Sequence, residues 1–369
     1  MANDLAAIQA QIVNTLPANA ATTARFAGII GDRPSQYAKS PSLWNAIFKA
    51  MNLDAFYVAF DVDEPNIGAL TKAMRANERL LGGNVTVPYK VKVMEHLDDL
   101  DPKARQIGAV NTIVRTPEGK LVGYNTDGSG FLWSLTRPLL AGEQPLLPEP
   151  KGVDTLLIGS GGAARAVAFY LAEAIGGAKL IVANRNRATA ASLADEVNRA
   201  YGNATAIGED GIAKAVGSVG LVVNSSTKGQ YGQRKLTGGK VTMLEPYSAL
   251  APADPATFSE ADAAKPDFQR RWFEATLPDL AKNATSSLDA ALRMKAGAVA
   301  YDLVYAPLET TFLRQARLTG HRTANGKGMN IAQAVDALYS RVCRGWFESQ
   351  GLANDDTHRR IVQVMCEVW

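Results

Sequence analysis

Two side chains of opposite charge, Lys90 and Asp127, stand among small polar residues in three short runs. These are Gly83-Asn84-Val85-Thr86-Val87-Pro88-Tyr89-Lys90, Gly108-Ala109-Val110-Asn111-Thr112 and Gly123-Tyr124-Asn125-Thr126-Asp127-Gly128. The lysine ends a strand-like stretch and the aspartate falls in a turn, so one amine and one carboxylate are delivered to loop ends. Such a pair suits proton transfer, because an alcohol that gives up hydride must also give its hydroxyl proton to a group within hydrogen-bond reach. Asp127 can hold the ammonium and bond the same or an adjacent hydroxyl. An ordinary surface ion pair is the competing reading.

A second motif, Gly159-Ser160-Gly161-Gly162-Ala163-Ala164, lies between a strand pattern and a helix pattern, the context in which a glycine turn holds a dinucleotide pyrophosphate. Gly159 permits the tight turn, Gly161 lets the backbone approach the phosphates, and Ala164 is the third small position. The next strand should end at the adenosine ribose, and there the chain reads Ala183-Asn184-Arg185-Asn186-Arg187, without an acid. Arg185 can offer a planar fork to a 2′-phosphate and Arg187 adds charge, which predicts NADP rather than NAD. Two solvated arginines capping a strand are the alternative. Proton transfer and a nucleotide turn together imply hydride transfer.

The elements that must position these groups read as two α/β units. At 369 residues and 47% hydrophobic content the chain exceeds one ordinary core. A helical leader through about Leu16 precedes the strand Arg25 to Asp32, a helix from Ser42 to Asn52, the strand Ala55 to Phe60, a helix from Ile67 to Glu78 and the strand Gly83 to Val87. Strands alternating with helices predict parallel pairing by crossovers. Prolines and glycines between 137 and 153 read as a connection. A second series follows, with strands at Asp154–Ile158, Lys179–Ala183 and Leu221–Val223 and helices at Ala164–Ile175 and Ala188–Ala200, the order of a mononucleotide-binding half. From about 230 to 296 the pattern degrades into an Ala/Pro-rich tract that reads as an insertion. Order resumes at Gly297, and Ile331 to Cys343 is an amphipathic helix.

Composition narrows the function. A net charge of +3 without basic runs gives no reason to expect nucleic acid or an anionic membrane. Cys343 and Cys366 lack metal-type spacing and read as reduced thiols. His96, His321 and His358 lack neighbouring ligands, so no metal is expected and a histidine-based mechanism is disfavoured. Neither a membrane span nor a signal peptide is supported, so a cytoplasmic protein is expected.

With these residues in view, the chain resembles the shikimate dehydrogenase family over nearly its whole length. The similar stretches run in family order through Gly31 to Asn45, Asn84 to Lys90, Gly108 to Thr112, Asn125 to Gly128, Gly159 to Arg165, Asn184-Arg185, Asn224 to Gly229, Tyr301 to Thr310 and Gly328 to Gln333. The resemblance implies an N-terminal α/β substrate domain plus a Rossmann-type dinucleotide-binding domain, with the C-terminal helices returning to the first domain. The expected bounds are 1–130 and 329–369 for the substrate-binding catalytic domain, and 131–328 for the NADP-binding domain with its insertion. It also implies reversible NADP-dependent reduction of 3-dehydroshikimate, with Lys90 and Asp127 at the chemistry. Ser40, Asn84, Thr86, Asn111, Tyr305 and Gln333 would bind the cyclic polyol substrate. Gly159, Gly161, Gly162, Ala163, Asn184, Arg185, Arg187 and Met329 would bind the cofactor.

One departure bears on the substrate. Members usually read His-Ser-x-Ser-Pro before the first helix, the two serines binding the substrate carboxylate, whereas this chain reads Tyr37-Ala38-Lys39-Ser40-Pro41. Losing a hydroxyl that donates to a buried anion costs about 1.5–3 kcal/mol. Tyr37 or Lys39 can bring a substitute donor, or the substrate carboxylate is altered or absent. The alternatives are therefore a quinate or aminoshikimate-type dehydrogenase, and, from a different class, a non-catalytic metabolite-sensing member of the fold. A monomer or homodimer is expected.

Overall fold

Apolar residues on both faces of its strands build the first sheet. In β1 (Arg25–Gly31), Phe26 and Ile30 enter one buried cluster while Ala27 and Ile29 enter another, as the two-residue period of a strand requires. The computed structural model describes residues 5–369. It divides into two units. The first holds the chain up to Trp133 with Pro138–Glu143 and Asn330–Trp369; the second holds Ser134–Arg137 with Gln144–Met329.

In the first unit, β1 pairs in parallel with β2 (Ala55–Asp61) and β3 (Leu80–Val85), linked by the helices Ser40–Ala50 and Ile67–Ala76. With β4 (Asp99–Leu100), β5 (Thr112–Arg115) and β6 (Leu121–Tyr124), the sheet order is β2-β1-β3-β5-β6-β4. The all-parallel expectation is corrected here: β5 runs antiparallel to both β3 and β6. The cause is a hairpin too short for a crossover, closed by the Thr116 N–H donating to Lys120 O at 2.8 Å. The third strand also begins and ends earlier than the Gly83 to Val87 expected.

The expected leader helix stops at Ala6–Gln9, and its first residues, 1–4, lie outside the described residues. Asn14 breaks it by joining the edge of β2, donating to Ala59 O and accepting from the Asp61 N–H, both at 2.9 Å. The C-terminal helices return to the first unit. Ile331, Leu338, Phe347, Ile361 and Met365 share one cluster with Leu43, Trp44, Ile47 and Phe48. The helix expected from Ile331 to Cys343 forms as Lys327–Val335 and then widens into a π-type stretch over Asp336–Val342.

The second unit contains β7 (Thr155–Ile158), β8 (Leu180–Asn184), β9 (Ala204–Gly208), β10 (Leu221–Asn224), β14 (Val299–Asp302) and β15 (Arg322–Ala324). Between β10 and β14 lie β11 (Gln233–Leu236), β12 (Lys240–Met243) and β13 (Phe258–Ser259). Its six-stranded sheet is parallel throughout in the order β15-β14-β10-β7-β8-β9, a doubly wound arrangement whose direction of travel reverses between β7 and β10.

The tract without a legible pattern is ordered. β11, β12 and β13 form an antiparallel sheet, and Phe268–Leu292 is a helix of 25 residues. Trp272, Tyr247, Phe268 and Val241 make a local core, and Ala290 and Ala291 at the far end of the helix pack into the cluster of the large sheet. Asn283 fixes the loop above by donating to Ser248 O, Ala251 O and Pro252 O and accepting from the Ser248 N–H.

Asp302, fully buried at the end of β14, holds the segment that carries Tyr305. It accepts from Asn224 Nδ2 and the Val304 N–H at 2.9 Å each and from the Thr310 hydroxyl at 2.6 Å. Burial nonetheless pushes its carboxyl up to about 7. A folded-state value above the unfolded one means that the native protein keeps a proton that the unfolded chain has released. That stability is therefore complete below about pH 4 and lost as pH rises through 7. Asp302→Asn keeps the shape, with its carbonyl accepting the two N–H groups and its amide facing Thr310. Between pH 5 and pH 7, wild type should lose about 1–3 kcal/mol of unfolding free energy relative to this variant in denaturant titrations. A difference between the two proteins that does not change with pH would show the carboxyl ionised throughout.

Candidate active site

Close backbone approach sets the first cluster. A Cβ on Gly83 of β3, whose φ is +158, would overlap the Gly28 carbonyl of β1, so only glycine lets these strands meet here. Asn84 follows at once, and the chain then turns through Pro88 to Lys90. Lys90 Nζ donates to Asp127 Oδ2 at 2.7 Å, with side-chain exposures of 21% and 9%. Asp127 does not sit in a turn as expected; it opens the helix Asp127–Thr136, and its own N–H is bonded by Asn125 Oδ1 at 3.1 Å.

Asn111 organises what surrounds the pair. Its Nδ2 donates to Asp127 Oδ1 at 2.9 Å and to Thr126 Oγ1 at 3.0 Å, and its Oδ1 accepts from the Thr126 N–H at 2.7 Å and the Thr112 hydroxyl at 2.9 Å. Gln333 Oε1 lies 3.4 Å from both Asn111 Nδ2 and Thr126 Oγ1. Asn84 joins through Nδ2, 3.3 Å from Thr112 Oγ1, and accepts from the Tyr57 hydroxyl at 2.7 Å. Ser40 bonds that same hydroxyl, whose proton burial holds tightly. A continuous polar chain thus runs from Ser40 through Tyr57, Asn84 and Asn111 to Asp127 and Lys90. Thr86 is half-buried beside it, its methyl where a Cβ on Gly31 would fall.

The structure therefore brings together Lys90, Asp127, Ser40, Asn84, Asn111 and Gln333 in the first unit. Tyr305 and Met329 belong to the second unit. Tyr305 follows β14 with its hydroxyl pKa raised by burial, and Met329 is buried. At the departure from the family motif, Ala38 packs against the apolar cluster, the Tyr37 hydroxyl donates to Val87 O at 3.3 Å, and Lys39 Nζ stands 5.6 Å above the Trp369 ring.

In the second unit, the glycine turn and the segment after β10 form one crevice at the strand-order reversal. Gly159 has φ +113, and a Cβ there would press on Ser225 and the Ser226 N–H. At Gly161 and Gly162 a Cβ would meet nothing within 4 Å, so protein packing does not demand those glycines. The open backbone suits a close-lying pyrophosphate, as does the start of the helix Gly162–Ala174, which carries no side-chain cap. Ala163 lies in its first turn and Ala164 is fully buried. Asn184 Nδ2 donates to Thr189 Oγ1 at 2.7 Å and Asn186 O at 3.1 Å, which shapes the turn bearing Arg185 and Arg187, both exposed. Arg185 lines a cleft of about 340 Å³ with the glycine turn, and Arg187 does not line it. The donor set fits a phosphorylated dinucleotide.

Sequence reasoning missed Tyr57 and Thr126 in the first cluster and Lys228 and Arg234, which line the cleft of the second unit. Thr126 had a signal, since it stands inside the Asn-Thr-Asp run. Tyr57 reads as an ordinary strand residue, Lys228 is bound by Glu209 and Ala251, both distant in sequence, and Arg234 lies in the tract without a pattern.

Comparison with known proteins agrees with this geometry. The family model described as the shikimate dehydrogenase substrate binding domain matches residues 29–113. A shikimate dehydrogenase (NADP(+)) of Symbiobacterium thermophilum is 36% identical over 336 residues, spanning 89% of this chain and 90% of that one. Among solved structures, shikimate 5-dehydrogenase from Thermus thermophilus, in complex with NADP(H) and shikimate, matches with a TM-score of 0.61 at 27% identity, over 94% of this chain and 100% of that one. Quinate dehydrogenase from Corynebacterium glutamicum, in complex with NAD, matches with a TM-score of 0.65 at 25% identity, over 93% and 99%. Among the described residues no helix is long and apolar enough to cross a membrane, and no cluster of metal-ligating side chains occurs. At 36% identity to such a relative over 89% of this chain and 90% of that one, this chain belongs to the shikimate dehydrogenase family.

Proposed function

We propose that the protein is an NADP-dependent dehydrogenase that reversibly reduces 3-dehydroshikimate to shikimate. The observation that carries this reading is the 2.7 Å contact of Lys90 Nζ with Asp127 Oδ2 amid amide side chains suited to hydroxyl groups. In the reducing direction the substrate carbonyl oxygen gains a proton as its carbon gains hydride, and the Lys90 ammonium supplies that proton. In the oxidising direction the Lys90 amine takes the hydroxyl proton. NADP, when bound, supplies or accepts the hydride.

Asp127 aims the lysine. Asn111 holds Asp127 through its amide hydrogens, and with Asn84, Gln333, Thr86 and Ser40 it offers the polar groups that meet the polyol. The first unit is the substrate-binding part, and the second, with the glycine turn and Arg185, the cofactor-binding part. A second reading is a polyol of the quinate type, whose further hydroxyl beside the carboxylate offers a contact that does not depend on the serine replaced by Ala38.

Lys90→Ala should lower kcat about 10²–10⁴-fold, followed as reduced-nicotinamide absorbance with shikimate and NADP, and leave nucleotide binding unchanged. Retention of most of the wild-type rate would remove Lys90 from the chemistry. Ala38→Ser should lower KM for shikimate roughly tenfold and leave a decarboxylated analogue unaffected. An unchanged KM would mean that the substrate carboxylate is held elsewhere or that the polyol differs.

A further inference from the structure

The cleft that holds the glycine turn has one wall that the doubly wound sheet does not supply. Strand alternation puts Arg234 and Leu236 of β11 on one face, and the antiparallel register sets Thr242 of β12 directly opposite Arg234; all three line the cleft. The opposite face of the hairpin, through Val241 and Met243, packs on the local core around Trp272. The hairpin is thus anchored on that core through β12, and Arg234 of β11 is presented to the nucleotide turn.

Two guanidiniums enter this one cleft, Arg185 from the end of β8 and Arg234 from β11. Arg234 donates to Thr227 Oγ1, which holds its stem in place. Among the described residues neither arginine makes an ion pair. The other cation of the cleft, Lys228, is already matched by Glu209 at 2.7 Å. Asp254 also lines the cleft, but it is exposed and pairs with neither arginine. Partial burial and the like charge of Arg185 both hold the Arg234 guanidinium below its ordinary pKa, so the pair is an arrangement that an anion would relieve. Two planar forks suit a group with several oxygens, and in this fold the end of the second strand is where the adenosine ribose hydroxyls lie.

We propose that Arg234 is a second ligand of the cofactor's 2′-phosphate, gripping it together with Arg185, so that the tract between β10 and β14 is a specificity element for NADP over NAD. This rests on the reading of the second unit as an NADP site. Calorimetric titration with adenosine 2′,5′-bisphosphate and adenosine 5′-monophosphate, which differ in that one phosphate, separates the two ideas.

In wild type the bisphosphate should bind more tightly, and Arg234→Ala should weaken it roughly tenfold or more while leaving the monophosphate unchanged. Arg234→Glu should weaken the bisphosphate further, and both differences should shrink with added salt. Wild type that discriminates between the two nucleotides beside an Arg234→Ala variant that discriminates equally well would overturn this inference alone, as would an equal loss for both ligands. Wild type that does not discriminate would overturn it together with the NADP reading.

Discussion

An ammonium and a carboxylate that are largely withdrawn from water hold their charges only while their hydrogen bonds are kept, because the desolvation penalty is several kcal/mol per ion. Asp127 receives its hydrogen bonds from Lys90 and from one further residue, Asn111. Asn111 donates to the free oxygen of Asp127, its backbone N–H donates to Tyr124 O at 3.0 Å, and its carbonyl accepts from the Val85 N–H at 2.7 Å. The same residue whose side chain orients the carboxylate therefore joins, through its backbone, the end of β3 to the end of β6. The Lys90 carbonyl is fixed as well, accepting from the Val110 N–H at 2.7 Å. The Lys90–Asp127 pair is placed by backbone pairing rather than by loop conformation, which is the precision that the proposed proton transfer requires.

Both units use glycine where two backbones must come closer than a side chain allows, and both place their polar groups just beyond. Gly83 lets β3 close on β1 immediately before Asn84, and Gly159 lets the end of β7 close on Ser225 immediately before the open Gly161 and Gly162. In the second case the hydroxyl of Ser225 donates back to Ile158 O at 2.8 Å, so the crevice is pinned from both sides. Chemistry sits at strand ends because only there do backbone groups and short polar side chains escape the ladder while remaining rigidly attached to it.

The sequence carried the parallel strands, the glycine turn and the Lys90–Asp127 pair because each has a local signature: an apolar run, a turn composition, or a charge in a small-residue segment. It did not carry the helix Phe268–Leu292. That helix buries Phe268, Trp272, Thr276, Asn283, Ser287, Ala290 and Ala291, a helical spacing in which three of the seven residues are polar, so hydrophobic periodicity fails. Nor did it carry the role of Asn111 as the support of Asp127, since its bonds reach residues brought near only by the antiparallel hairpin that the alternating pattern did not announce. Arg234 was illegible for the same reason, its meaning depending on the register of a strand in the tract without a pattern.

Lys228 explains how that tract can be attached beside the crevice without disturbing it. Its ammonium is almost fully buried and bonds both Glu209 Oε1, after β9, and Ala251 O, in the tract, each at 2.7 Å. Burial lowers its pKa and Glu209 raises it, and a charge so placed is stable only if both partners stay where they are. The bond therefore ties the added segment to the third strand of the sheet while neutralising the one lysine that would otherwise compete for an anion. The two arginines are left as the cations of the cleft without an acidic partner, one supplied by the sheet and one by the added segment. A peripheral elaboration fixed through a buried charge pair can reach a ligand site at the strand ends without altering any residue of the strands themselves.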